Sequence, residues 1–142
     1  MQTVFLVSCV GKKRARTCAA KDLYISDWFL KARAYVEKRG GPWYILSAKY
    51  GLLDPEEEVA HYEVTLNTMA ISERRDWAQR VFKALATRIE PEDHVVILAG
   101  ARYREFLADR LKSMCTEVVV PMEGLRIGEQ LAWLSSQEAN DE

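Results

Sequence analysis

Hydrophobic positions along the chain fall into short unbroken runs separated by stretches with helical spacing. Residues 3–9 (TVFLVSC) are apolar and rich in β-branched side chains, stop before Gly11, and predict a strand buried on both faces. Over residues 19–39, Leu23, Trp28 or Phe29, Ala32, Tyr35 and Val36 recur at helical intervals before Gly40-Gly41-Pro42, which predicts one helix with a firm stop. Residues 43–47 (WYILS) are a second strand; residues 48–69 have no clean period, carry Gly51 and Pro55, and read as a long, partly extended excursion. A helix then opens at Ser72, with Glu73 and Asp76 in its first turn and Trp77, Val81, Phe82 and Leu85 on its inward face, and runs to about Ile89. Residues 94–100 are a third strand, 101–114 a helix with Tyr103, Phe106, Leu107 and Leu111 aligned, 117–121 a fourth strand and 128–137 a last helix.

Strands without alternation, each followed by a helix, predict a parallel sheet covered on both faces by right-handed crossovers. The expected fold is a small three-layer α/β domain with a roughly four-stranded sheet. It spans residues 1–142 as a single unit, with a polar tail from about residue 136. In such folds ligands bind beyond the carboxyl ends of the strands. Strand one delivers Ser8, Cys9, Gly11, Lys12 and Lys13 to that edge; strand two delivers Ser47, Lys49, Tyr50 and Gly51; strand three delivers Gly100, Arg102 and Tyr103; strand four delivers Pro121, Glu123 and Gly124. Any one of these turns is explained by tight strand-to-helix geometry alone. Four turns with the same bias point instead to backbone approach, hydroxyl donors and lysines gathered for a phosphate-bearing ligand.

Composition narrows the reading. At 142 residues and 49% hydrophobic, the chain has material for one real core and is too apolar for a disordered acidic protein. No apolar run reaches membrane-spanning length, and the apolar N-terminal stretch precedes its positive charges, the reverse of a secretory signal, so a cytoplasmic location is expected. Three cysteines without CxxC spacing and two histidines unpaired with them predict neither a disulfide framework nor a metal site, and no cofactor is expected. The net charge of −1 hides an asymmetry: residues 1–50 hold ten Lys or Arg against three Asp or Glu, a balance of +7, and residues 51–142 hold ten against eighteen, a balance of −8. Lys12, Lys13, Arg14, Arg16 and Lys21 concentrate the positive charge just after strand one, either as a solvated loop or as a grip on phosphates.

The chain lacks a Walker loop, a GxGxxG turn and a G-x-S-x-G elbow. Cys9 reads either as a core residue or as a thiol activated by neighbouring lysines. In the excursion, Asp54 and Glu63 sit among apolar neighbours, which suits a carboxylate that activates water or stabilises a cationic transition state. Tyr50 and Tyr62 are either core residues or platforms on which a base stacks.

At SCVGKK (8–13), DLYISDWF (22–29), ILSAKYGLLDP (45–55) and HYEVTLN (61–67) the sequence resembles a bacterial family of small domains distantly related to the YaaA peroxide-stress proteins. The likeness continues through LAGARY and PMEGLRIGEQLAWL, covering roughly residues 3–134, and SAKYGLL is its most specific part. His61 departs from it, standing where the pattern has proline. YaaA-like proteins are associated with DNA binding and share features with DNA glycosylases, some of which act against phages with modified bases. The resemblance therefore implies DNA as partner and a binding surface of Ser8, Cys9, Lys12, Lys13, Ser47, Lys49, Tyr50, Gly51 and Tyr62, with Glu63 in the excursion. By analogy of fold alone, the architecture is uracil-DNA-glycosylase-like.

The expected function is a monofunctional DNA glycosylase. A modified or damaged base would be flipped into the strand-end pocket and its N-glycosidic bond hydrolysed, leaving an abasic site. Glu63 or Asp54 would orient water, Lys13 with Lys12 or Lys49 would support the leaving base, Arg14 would join the phosphate grip, and Gly100 and Tyr103 would complete the pocket. A nucleotide- or nucleoside-processing enzyme and a non-catalytic DNA-binding stress protein are the alternatives.

Overall fold

The computed structural model describes residues 2–8, 11–115 and 117–140, with side chains of the closing helix to residue 138. Among the described residues the strands are β1 (Thr3–Ser8), β2 (Cys18–Ala19), β3 (Trp43–Ser47), β4 (Gly51–Leu53), β5 (Glu58–Val59), β6 (His94–Leu98) and β7 (Glu117–Val119). The helices are α1 (Ala20–Leu23), α2 (Asp27–Arg39), α3 (Ile71–Ala86), α4 (Ala101–Arg104), α5 (Ala108–Lys112) and α6 (Ile127–Asn140), with a 3-10 turn at Leu66–Thr68.

β1 is buried along both faces from Val4 to Ser8, because it lies at the centre of a five-stranded sheet ordered β4-β3-β1-β6-β7. It pairs parallel with β3 (Phe5 opposite Trp43) and with β6 (Thr3 opposite His94), and β7 continues the parallel set beside β6. The step from β1 to β3 and the step from β3 to β6 run in opposite directions across the sheet, so crossovers of one hand put α2 and α3 on opposite faces. α6 returns to pack on α2, while α3 covers β4 and α5 covers β7. The domain is the three-layer α/β fold that the pattern predicts, with an additional antiparallel strand on one edge.

That strand, β4, occupies the start of the expected excursion. Ser47 pairs with Gly51 across a three-residue turn, and Gly51 has φ +76°, the left-handed conformation that closes such hairpins and that glycine adopts without a Cβ penalty. The rest of the excursion is fastened to the segment after β1: β5 pairs antiparallel with β2, and the backbone N–H groups of Ala20 and Lys21 donate to the carbonyls of Glu57 and Pro55 (2.8 and 2.9 Å).

The single helix predicted over 19–39 is broken at residues 24–26. Tyr24 forms a bridge with Lys13, and Ser26 competes with helix continuation by capping α2, its hydroxyl accepting from the Phe29 N–H at 3.2 Å. α3 starts at Ile71 rather than Ser72, with the Glu73 carboxylate accepting from the Ala70 N–H. The helix predicted over 101–114 divides into α4 and α5 around the fully buried Leu107. No helix among the described residues is long and apolar enough to cross a membrane.

Candidate functional site

Connections leaving β1 and β6 diverge, because the chain passes from β1 to one side and later returns to the other; this is where α/β sheets open a crevice. A cleft of about 470 Å³ lies there. β1 supplies Ser8 and the following loop Gly11 and Lys13; the segment after β6 supplies Gly100, Arg102 and Tyr103; the excursion contributes Val64, Thr65 and Asn67; α2 and α6 add Trp28 and Gln130.

Ser8 is fully buried, and its Oγ has no hydrogen-bond partner among the described residues. A hydroxyl removed from water without a partner costs the fold stability, so its place in the lining of a cleft is informative. Gly100 has no heavy atom within 4 Å of where a Cβ would stand, which leaves its backbone open to the cleft. The Trp28 wall is held rigidly: its indole N–H donates to Gln130 Oε1 at 2.8 Å, and Gln130 Nε2 donates to the Leu125 carbonyl at 2.8 Å, so both halves of that amide are engaged. Tyr103 is set edge-on against the buried Trp77 ring.

Lys13 is preorganised from two directions. Its backbone neighbours are tied down, the Arg14 N–H donating to the Leu23 carbonyl and the Ile25 N–H to the Lys12 carbonyl. Its ammonium stands 4.8 Å from the centroid of the Tyr62 ring and 5.9 Å from that of Tyr24, within cation–π range of both. Arg102 is half exposed and makes a long 3.9 Å approach to Glu105. None of the described lining residues is Asp or Glu.

Other sequence-predicted residues lie elsewhere. Ser47, Tyr50 and Gly51 build the β3–β4 hairpin: Ser47 Oγ accepts from the Tyr50 N–H at 3.1 Å and donates to the Tyr62 hydroxyl at 2.8 Å, which lies 2.6 Å from the Tyr24 hydroxyl. This buried chain pins the excursion to the sheet and the α1–α2 junction, and makes Tyr62 a support behind Lys13 rather than a cleft wall. Lys49 stacks over Tyr50 at 5.3 Å. Lys12 and Arg14 are exposed, and Arg14 Nε donates to the Asp22 carbonyl at 2.9 Å. Asp54 is exposed beyond β4, and the Glu63 side chain is 82% exposed and engaged with His61; neither lines the cleft. Cys9 lies outside the described residues.

Sequence reasoning missed Trp28, Asn67, Gln130 and His61. Trp28 and Gln130 sit on helices whose spacing marks a face but not what the face meets, and Asn67 follows the threonine and leucine of the HYEVTLN motif. His61 joins two segments: one ring nitrogen, Nδ1, meets the Arg14 carbonyl at 2.9 Å and the other, Nε2, meets the Glu63 carboxylate. Both partners are acceptors, so the arrangement favours the imidazolium. Hydrogen bonding to the Arg14 carbonyl, then to Glu63, raises the His61 pKa above its ordinary value, against the opposing charge of Lys13. Among the described residues no group of three or more His, Cys, Asp or Glu gathers in a way that would hold a metal ion.

The chain is 30% identical over 121 residues, 75% of each chain, to the uncharacterized protein YfjM of Bacillus subtilis (strain 168). No solved structure matches it. Neither this relative nor the matching family is described as YaaA-like or as a glycosylase. Residues 4–136 match a family of unknown function, DUF6884, and a match over nearly the whole domain means that the chain belongs to that family.

Proposed function

We propose that the domain is a monofunctional DNA glycosylase that takes a flipped nucleotide into the switch-point cleft and hydrolyses its N-glycosidic bond. The observation that carries this reading is the buried Ser8 hydroxyl, without a hydrogen-bond partner among the described residues, in a cleft that also holds Lys13 and Arg102. Such a cleft suits a ligand with a hydrogen-bonding edge and negative charge, which a nucleotide unit provides. A polymer rather than a free nucleotide is favoured by the exposed Lys12, Arg14 and Arg16 on the same loop as Lys13, which extend the positive surface beyond what one phosphate needs.

Within this reading Lys13 and Arg102 support charge on the departing base and on phosphate, Ser8 donates to the base edge, and Trp28 supplies the flat wall. Asn67, exposed in the lining, is the group that holds the attacking water. Glu63 and Asp54 act at a distance from the chemistry: Glu63→Gln and Asp54→Asn each keep base release within a few fold of the parent, whereas Asn67→Ala lowers it by about 100-fold, the usual scale for losing a positioned polar group.

The test is incubation with duplexes carrying damaged bases or the hydroxymethylated and glucosylated pyrimidines of phage DNA, followed by alkali to reveal abasic sites. Strand breaks that depend on alkali support a monofunctional glycosylase. A borohydride-trapped adduct identifies a lysine nucleophile instead, and intact strands throughout remove the glycosylase reading.

A further inference from the structure

Resting on the base-excision reading, we infer that the cleft selects bases that leave as anions, the imide and electron-poor pyrimidines, and rejects bases that already carry a positive charge through N-alkylation. Cleavage of the C1′–N bond sends the electron pair to the base nitrogen and leaves positive charge on the sugar. A protein lowers that barrier by placing an anion beside the sugar or a cation beside the departing base.

This cleft is built for the second course. Lys13 and Arg102 line it, and no Asp or Glu does among the described residues. The acids nearby in sequence are committed: Glu63 to His61, and Glu105 to Arg74 at 2.7 Å. Lys13 reaches its place without reorganisation, because its backbone is bridged to Tyr24 and its ammonium rests against two rings. Ser8 adds a donor whose own hydroxyl is buried, where a hydrogen bond to developing negative charge counts for more than it does in solution. A cationic alkylated purine meets like charge on entering and gains nothing from these groups, since it departs neutral.

In the balanced step the C1′–N bond breaks with its electron pair on the base, water oxygen bonds to C1′, the proton from that water passes to solvent, and the base anion takes a proton from solvent after departure. One water is added overall.

Single-turnover base release is measured from matched duplexes containing 5-fluorouracil, uracil or thymine, in descending order of N1–H acidity, and from one containing N7-methylguanine. Release falls in that order, and N7-methylguanine stays bound to its sugar. Arg102→Gln, at a half-exposed position where folding is undisturbed, lowers release by about 100-fold, with the largest loss on the poorest leaving group; Arg102→Lys recovers part of it. Preferential release of N7-methylguanine, or rates indifferent to N1–H acidity, overturns the inference while leaving base excision standing. Absence of release from these duplexes and from the phage-type duplexes above overturns both.

Discussion

Ser8 carries a buried hydroxyl with no hydrogen-bond partner among the described residues, so function and stability should separate at this residue. Ser8→Ala removes a buried polar atom and leaves the unfolding free energy unchanged or raised by up to about 1 kcal/mol in urea titration, because no hydrogen bond to a described residue is lost. The same variant lowers base release by about tenfold, the worth of one hydrogen bond in the transition state. His61 separates differently, by pH. Its folded-state pKa is raised, so the contribution of its imidazolium to joining residues 14 and 63 is complete below about pH 6.5 and is lost as pH rises through the higher folded-state value. The protection factors of the amides in residues 11–17, with the intrinsic pH dependence of exchange divided out, therefore fall across that interval in the parent, and His61→Gln abolishes that fall. Ser8, Lys13, Gly100 and Tyr103 were legible from the chain alone because the strand-end rule assigns whatever follows a strand to one edge. Trp28 and Gln130 were not, since their meeting joins residues 102 positions apart and no local pattern encodes it.

Among the elements, the parallel core strands could be read directly, since β1 and β6 are unbroken apolar runs. The hairpin β3–β4 was hidden by its shortness. Its signal was present in the small loop closed by Gly51, but β4 is only three residues long, too short for periodicity to register. Gly51→Ala tests the hairpin: a side chain at φ +76° costs about 1–2 kcal/mol, read as a lower urea midpoint at unchanged slope. The excursion was equally opaque, because its order comes from pairing with β2 and from the Ser47–Tyr62–Tyr24 hydroxyl chain, partners far away in sequence. Tyr62→Phe keeps the ring beneath Lys13 while deleting the central hydroxyl, and lowers stability by about 1–3 kcal/mol because Ser47 and Tyr24 each lose one buried hydrogen bond.

At the scale of the molecule the +7 and −8 halves partly cancel where they touch. Lys21 pairs with Glu56 at 2.5 Å, across the same seam that joins β2 to β5, so not all of the basic segment is available to a partner. If Lys12, Lys13, Arg16 and Arg102 supply the phosphate contacts, DNA affinity measured by fluorescence anisotropy falls with a log–log salt slope of about −3 to −4, well short of what the full basic half would give. The central position of β1 has a consequence for biosynthesis. β1 is made before β6 and waits for it, with Gln2 and Asp93 joining across 91 positions, and the Trp28 wall waits longer still for Gln130. Pairing over such separations is slow and must follow translation of most of the chain. The cleft on the seam between β1 and β6 thus closes last, and a nascent or C-terminally truncated chain has no assembled pocket with which to engage a nucleotide.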